Sequence, residues 1–558
     1  MLQSFLMNEL IDELLKQRGV VTDEEKENFL SPDYDKHMND PFLLKDMDKA
    51  VKRIIKAIDK KEHIAIYSDF DADGIPGGAL LHDVFEKVGH ESFTNYIPHR
   101  NEEGYGFHKE AVKKLKKKGV TLIITVDVGI ADIDTAKYAK RVGLDLIITD
   151  HHLPSEKLPT ALAVINPQQE GETYPFKDFC GTGVAFKLTQ ALFLEARKKK
   201  KKWMEDIPVG WEKWLLDLVA IATVADMMPL VGENRVLVHY GLRVLRKSRR
   251  PGIGALARKL GLKQPYLTED DIGFSIGPRI NAASRMGDPE KAFELLTTHD
   301  DVQATALARE LESLNNKRKG QVASIVRGLN ERFKESSKEN VLVAGNPNWN
   351  PSLLGLAANS LVDTHKKTAC LWGRDGTGSL KGSCRGNSSV NIVEMFRGSG
   401  DALSQFGGHE HAGGFAVEDD KIHTLEKALN KSYKKIAGEF KRELAKEDAE
   451  LDQYKIRETH SALLKLSPFG IGNTKPIFVC KKAYINSVAQ FGKEKNHFEM
   501  KISKEKDGQP VRAISFFKTH DSFTTEPKEG GECDVFCTIE LSRFAGRVNF
   551  ELRIVDIR

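Results

Sequence analysis

Apolar and polar positions fall into short alternating blocks through the first half of the chain. Apolar runs at 63–69, 121–127 and 145–150 each end in acids or histidine. Amphipathic stretches at 77–89, 108–118 and 131–142 separate them and have the apolar spacing of helices. With 91–97 as a further strand, the series predicts βαβ units and a mostly parallel sheet. The runs 121–127 and 145–150 are apolar throughout, as strands covered on both faces should be. Two more helices are predicted at 181–202 and 211–228.

The pattern then changes twice. Between 290 and 333 the chain is polar, free of proline and marked by Leu307, Leu311 and Leu314, which predicts a long helix joining two lobes. Mixed α/β character returns with VLVAG near 340. After SPFGIGN come five short strand-like runs, IFVCKKAYIN, HFEMKIS, VRAISFF, CDVFCTIEL and RVNFELRIVD. They suggest a small barrel, with an OB-fold as the natural candidate. The expected divisions are a helical lead-in at 1–47, an α/β lobe at 48–235, a helical connector at 236–335, a second α/β lobe at 336–455 and the barrel at 456–558.

Composition narrows the setting more than the chemistry. A chain of 558 residues, 40% apolar and 29% charged, is that of an ordinary globular protein with several cores. A net charge of +4 lends little support to nucleic-acid binding, so local clusters must carry that case. The six cysteines include no CxxC pair, which speaks against a zinc site and fits a reducing compartment. The first residues are acidic and amphipathic, unlike a signal peptide, and no apolar run is long enough to span a bilayer. The expected location is cytoplasmic, with no membrane partner.

The ends of the strands hold the chemistry. In a parallel sheet the carboxyl ends share one edge, where ligands bind. Here that edge would gather Asp69, Asp71 and Asp73, then Asp127, then Asp150, His151 and His152. So many carboxylates repel one another unless cations lie between them, which argues for two hard metal ions. Oxygen ligands with an imidazole suit Mn²⁺ or Mg²⁺ better than zinc. An acidic Asp-Gly turn would explain 69–74 taken alone; with Asp127 and His151 the metal reading prevails. Two such ions ~3.5–4 Å apart would activate a water and clamp the attacking and leaving oxygens in phosphodiester hydrolysis.

SDFDADG, VDVG and TDHH resemble the first three motifs of the DHH phosphoesterases, and TVADMMPLVGENR, with Asp226, resembles the fourth. GPRINAASRMGD (277–288), KGSCRG (381–386), FGGHEHAGGF (406–415) and SPFGIGN (467–473) are similar to the RecJ branch, bacterial single-stranded-DNA exonucleases. The resemblance runs in order from RGVVTDEEKENFLSP (18–32) to the last residues. It implies a DHH lobe and a DHHA1 lobe joined by the long helix, with the OB-fold on the DNA path. It also implies Asp71, Asp73, Asp127, His151 and Asp226 as metal ligands, Asp127 bridging, with Asp69 a ligand or a carboxylate behind them. Asp150 would orient the histidines, and His152 would act on the phosphate as electrophile or proton donor.

By the same resemblance Arg100, Arg279, Arg285, Lys381, Ser383 and Arg385 line the scissile-phosphate and 5′-phosphate sites. Gly407, Gly408 and His409 match the GGH signature of the DHHA1 domain, with His409 a donor to phosphate. Single-stranded DNA is then the substrate, hydrolysed 5′→3′ to mononucleotides in recombination and repair. The resemblance allows a single-strand-binding protein and a helicase as partners, which the residues themselves do not specify.

Blander readings stand beside these. The arginines could be surface residues on turns, His409 a buried structural histidine, and the basic runs 113–118, 197–202 and 243–250 solvated helix faces. In the barrel Phe491, Phe498, Phe516, Phe517 and Phe544 lie among Lys493, Lys495, Arg512 and Arg543. Some must be core, while one or two could stack bases. The chain also departs from the family pattern. It has Ile75, Pro76 and Gly77 after DADG, Ser284 for a usual glycine, and Asn350 where relatives carry histidine. Two rival functions remain: a phosphodiesterase for dinucleotides or short oligonucleotides, against which the barrel speaks, and a non-catalytic DNA-binding scaffold, against which the full set of acids speaks.

Overall fold

The computed structural model describes residues 2–334, 339–438, 444–492, 495–544 and 547–558. The chain divides into two compact units, Asn39–Met228 with Tyr240–Lys441, and Met1–Met38 with Pro229–His239 and Arg442–Arg558.

The larger unit holds the expected parallel sheet. Strands β1 (Ile64–Ser68), β2 (Phe93–Tyr96), β3 (Leu122–Val126), β4 (Asp145–Thr149) and β5 (Ala163–Ile165) lie in the order β2-β1-β3-β4-β5, every pair parallel. β1 and β3 are buried at every position, which explains their uninterrupted apolar sequence. β5 was not foreseen; three residues are too few to carry a periodicity. The chain steps from β1 outward to β2 and then back across to β3. The order therefore reverses between β1 and β3, and the crevice at their carboxyl ends is the natural ligand position of such a sheet.

A second sheet in this unit contains β6 (Val341–Gly345), β7 (Thr368–Arg374), β8 (Leu380–Arg385), β9 (Gln405–Gly408) and β10 (Ala412–Val417), in the order β6-β7-β8-β10-β9. Only β6 and β7 run parallel. The predicted long helix is Asp301–Arg332, 32 residues and so about 48 Å long. Asp300 starts it by accepting from the amides of Val302 and Gln303. Near its end Ile325 and Leu329 join a core with Leu342, Leu354 and Leu371 of the second lobe.

In the smaller unit β11 (Ala449–Glu450), β12 (Phe478–Phe491), β13 (His497–Ser503), β14 (Val511–Ser515), β15 (Glu532–Phe544) and β16 (Arg547–Ile557) form one sheet. The order β12-β13-β14-β16-β15 closes on itself through β12–β15, with β14 and β16 parallel. This is the five-stranded OB-like barrel expected from the sequence. Its core takes in Ile11, Leu14 and Leu15 from the helix Leu2–Gln17. Arg235 ends the motif TVADMMPLVGENR that contains Asp226. Its guanidinium donates to the carbonyls of Phe29, Leu466, Ser467 and Pro468 and stacks on Phe29 at 3.8 Å. Two motifs far apart in sequence are thus joined by one buried side chain.

Candidate functional site

The crevice between β1 and β3 collects the predicted acids. Asp69 follows β1 and Asp127 follows β3, both 2% exposed. Asp127 holds φ +64°, in the left-handed region, and its amide donates to Thr149 O at 2.9 Å. Asp71 Oδ1 accepts from the amides of Asp73 (2.8 Å) and Gly74 (3.1 Å), so it caps the helix Gly74–Lys87. Asp73 accepts from the amides of Gly181 (2.6 Å) and Thr182 (2.8 Å), at the start of the helix Gly181–Lys198. A helix N-terminus there steadies its negative charge. Asp226 ends the helix Leu216–Ala225.

His151 and His152 complete the cluster. His151 Nε2 lies 3.2 Å from Asp127 Oδ1, 3.6 Å from Asp226 Oδ2 and 3.7 Å from Asp73 Oδ2. Ligand atoms fall into three groups, each spanning less than 4.8 Å: Asp69–Asp71–Asp127, Asp73–His151–Asp226 and Asp127–His151–His152. Asp127 and His151 each belong to two of them. His152 Nδ1 donates to Asp150 Oδ1 at 2.8 Å. Asp150 is wholly buried and also accepts from the amides of Ile130, His151 and His152.

The electrostatics follow from this crowding. Burial, then Asp73, Asp71 and Asp69, push Asp127 well above the usual carboxylate range. Burial and Asp71 raise Asp69, and burial with Asp73 and Asp71 pushes Asp226 up to about 8. Burial keeps His151 below its usual value and so neutral, the form that binds metals. Burial would lower His152 as well, but the hydrogen bond and charge of Asp150 outweigh it and raise His152 to about 9. Asp150 is held low by His152 and the amides despite its burial. Asp69 Oδ1 and Asp127 Oδ1 are buried without a hydrogen-bond partner. Orphaned, mutually repelling oxygens beside a neutral imidazole suit a pair of hard divalent cations.

Close packing leaves no slack here. A Cβ on Gly181 would lie 2.5 Å from Asp127 Cβ. One on Gly77 would lie 2.5 Å from Val126 Cγ1 and 2.8 Å from Thr182 Oγ1. Gly77, one of the departures after DADG, thus lets two helix ends close on β3.

The expected phosphate contacts separate into two kinds. Arg100 stacks on Phe70 at 4.6 Å and feels the charges of Asp69 and Asp71. Arg285, at the end of the helix Gly277–Arg285, is pushed down to about 9 by burial, then by Arg100, Arg318 and, more weakly, Arg385. Its Nε is buried without a partner, while Nη1 donates to Ser352 O. Arg385 Nη1 donates to Ser383 Oγ at 2.9 Å. Mutually repelling guanidinium groups, with the Nε donors of Arg285 and Arg318 unused, have the chemistry to hold an anion. Arg279 behaves otherwise: it is 8% exposed and donates to Glu312 Oε2 (2.8 Å) and Ser275 O.

A cleft of about 530 Å³ adjoins the acids, lined among others by Phe70, Arg100, Tyr105, Ser352, Lys381 and Gly407. Lys381 pairs with Asp375 Oδ2 at 2.8 Å. Gly408 has φ +144°, and a Cβ there would lie 2.3 Å from Ala412 O. His409 follows it and is exposed, which removes the buried structural histidine as its explanation. Asn350 caps the helix Pro351–His365 by accepting from Ser352 N (2.9 Å), and its Nδ2 donates to Arg285 O (3.2 Å).

Sequence reasoning missed Tyr105 and Arg318. Tyr105 Oη lies 3.2 Å from His152 Nδ1 but sits in a polar loop with no motif. Arg318 lies among other cations on a polar helix, which hides it. Parts of two of the basic runs are structural. Arg250 is buried between Asp83 and Asp217, Lys201 pairs with Asp59, and Arg197 caps carbonyls of Ile207 and Pro208. In the barrel Phe498 is core, whereas Phe516 and Phe517 are exposed. Lys493 and the side chains of Arg543 and Phe544 lie outside the described residues.

Comparison with known proteins agrees with this geometry. Residues 63–223 match the DHH family N-terminal domain, 338–435 the DHHA1 domain and 447–556 the RecJ OB domain. The chain is 36% identical over 507 residues to the single-stranded-DNA-specific exonuclease RecJ of Bacillus subtilis, 89% of this chain and 62% of that one. It is 30% identical to the protein of the same name from Haemophilus influenzae, covering 91% of this chain and 89% of the other. The chain thus spans under two thirds of the first relative's length. The crystal structure of Thermus thermophilus RecJ in complex with Mn²⁺ superposes with a TM-score of 0.80 at 27% identity, over 98% of this chain and 76% of that one. The chain belongs to the RecJ family, built on the DHH, DHHA1 and RecJ OB domains.

Proposed function

We propose that this protein is a metal-dependent exonuclease that hydrolyses single-stranded DNA from its 5′ end to mononucleotides. The carrying observation is an acidic, metal-competent cluster that shares a crevice with unpaired arginines. Charges of opposite sign side by side suit a phosphodiester whose one end is held while its bond is cut. Relatives named as single-stranded-DNA-specific exonucleases, one solved with Mn²⁺, favour the same reading.

In this reading Asp71, Asp73, Asp127, His151 and Asp226 hold two Mn²⁺ or Mg²⁺ ions, with Asp127 shared and Asp69 closing the cluster. Such ions, when bound, supply an activated water and neutralise charge developing on the phosphate. Asp150 accepts from Nδ1–H of His152 and favours the charged ring, so its Nε2–H can donate a proton to a phosphate oxygen. Arg100, Arg285, Ser383 and Arg385 would grip the terminal phosphate and Lys381 the strand beyond it. Gly408 lets the hairpin turn tightly, and His409 donates from it. Arg279 would first have to leave Glu312, so bracing the long helix suits it better than gripping phosphate. A single-strand-binding protein and a helicase as partners, a cytoplasmic location and a role in recombination and repair belong to this proposal. Among the described residues no helix is long and apolar enough to cross a membrane.

The test uses single strands labelled at the 3′ end, with a free or a blocked 5′ end, incubated with Mn²⁺. Shortening of the free strand alone is expected. Equal shortening of both would overturn the 5′ assignment, and shortening of neither would overturn the nuclease.

A further inference from the structure

The barrel carries an aromatic cluster that folding does not explain. The end of β12, the start of β13 and the segment after β14 bring together Phe491, His497, Phe516 and Phe517. Centroids of Phe491 and Phe516 lie 6.0 Å apart, His497 and Phe516 5.2 Å, and His497 and Phe517 4.8 Å, all tilted or edge-on. Phe517 is 80% exposed and Phe516 43%. Phe517 also holds φ +55°, in the left-handed region that a bulky side chain disfavours. Its amide donates to His497 Nδ1 at 3.0 Å, which fixes the backbone there. A large ring that buries little and strains its own backbone contributes nothing evident to stability.

Position and surroundings indicate what would cover it. In a closed barrel of this order, oligonucleotides bind at the rim where the β12–β13 and β15–β16 connections emerge, and the cluster borders the first of these. Arg553 lies 4.3 Å over Phe516, which remains 43% exposed. Arg512, by contrast, is spent on Glu499 and Glu551. Local positive charge is therefore partly cancelled while Phe517 and part of Phe516 stay exposed. An acidic peptide would want the reverse.

We propose that Phe516 and Phe517 form a platform on which unpaired bases of a single strand stack, Arg553 backing the first ring. This rests on the reading of the protein as a single-strand enzyme and adds the part of the strand it recognises: bases, without regard to sequence, since every base has a π-face.

The test is fluorescence anisotropy on the whole protein without divalent metal. A labelled oligodeoxynucleotide is compared with an abasic strand of equal length and charge. Phe517→Gly is the informative variant, because glycine relieves the left-handed φ and should leave the melting temperature unchanged or higher. It should weaken binding to the base-bearing strand about 5- to 150-fold, leave abasic binding unchanged and preserve the salt dependence. Phe516→Ala should act in the same direction, and Phe517→Trp should retain affinity. Unchanged binding by Phe517→Gly, or equal losses on both strands, would overturn the platform. Hydrolysis is measured separately: a wild-type protein that cuts no strand fails as a nuclease, while the anisotropy comparison still decides stacking.

Discussion

At the scale of single residues, Asp127 concentrates the strain of the site. It is buried, held in a left-handed backbone and faced by four other carboxylates. Removing its charge relieves repulsion in the metal-free protein and, in the proposed site, deletes a shared ligand. Asp127→Asn should therefore melt no lower than wild type in chelator, lose the stabilisation that Mn²⁺ gives, and lose at least ~10³-fold in turnover while still binding DNA. Thermal melts with and without Mn²⁺, beside a nuclease assay, check this; a wild-type-sized Mn²⁺ shift in the variant would refute the ligand assignment. Asn350 makes a second case. The side chain caps a helix and holds the Arg285 carbonyl. Asn350→Ala should cost about 1 kcal/mol, seen as a melting temperature lower by about 1 °C for a unit of this size.

At the scale of elements, the site is built where helix ends meet strand ends. The amides of Gly181 and Thr182 hold Asp73, and Gly181 is a glycine because Asp127 leaves no room for a Cβ. Gly181→Ala should push the helix off β3 at a cost of about 1–3 kcal/mol and weaken Mn²⁺ binding, read by melting and metal titration. Full metal affinity in that variant would show that the close approach is dispensable. The same junctions explain what the sequence made legible. Strands ending in Asp69, Asp127 and Asp150 announce themselves because apolar runs buried on both faces stop abruptly at charge. The long helix is visible through its leucines, and the barrel through its five short runs. Asp226 is different. It ends a helix, not a strand, and only the motif resemblance pointed to it. The geometry of Arg285 and Arg318 was hidden because their neighbours come from other lobes and turns, and β5 was too short to show a period.

Across the larger unit, the acids and the arginines lie in one continuous field, with Arg100 and Arg285 coupled to Asp71. Phosphate binding should then depend on each cation separately. The logarithm of affinity for single strands should fall linearly with that of salt concentration. Arg385→Ala should flatten the slope by about 0.7, the share of a single phosphate on an unpaired strand. An unchanged slope would mean that Arg385 touches no phosphate.

The smaller unit draws its core from both ends of the chain, since Leu14 and Leu15 pack with Phe478 and Leu552. During synthesis the helix Leu2–Gln17 precedes these partners by some 460 residues or more. At about 5–20 residues per second that is roughly 25–90 s, during which its apolar stripe has no native cover. That helix is thus a segment of the nascent chain that a chaperone would shield. Ribosome-bound chains stalled near residue 450 should be cut by protease within 2–17, and released full-length protein should resist.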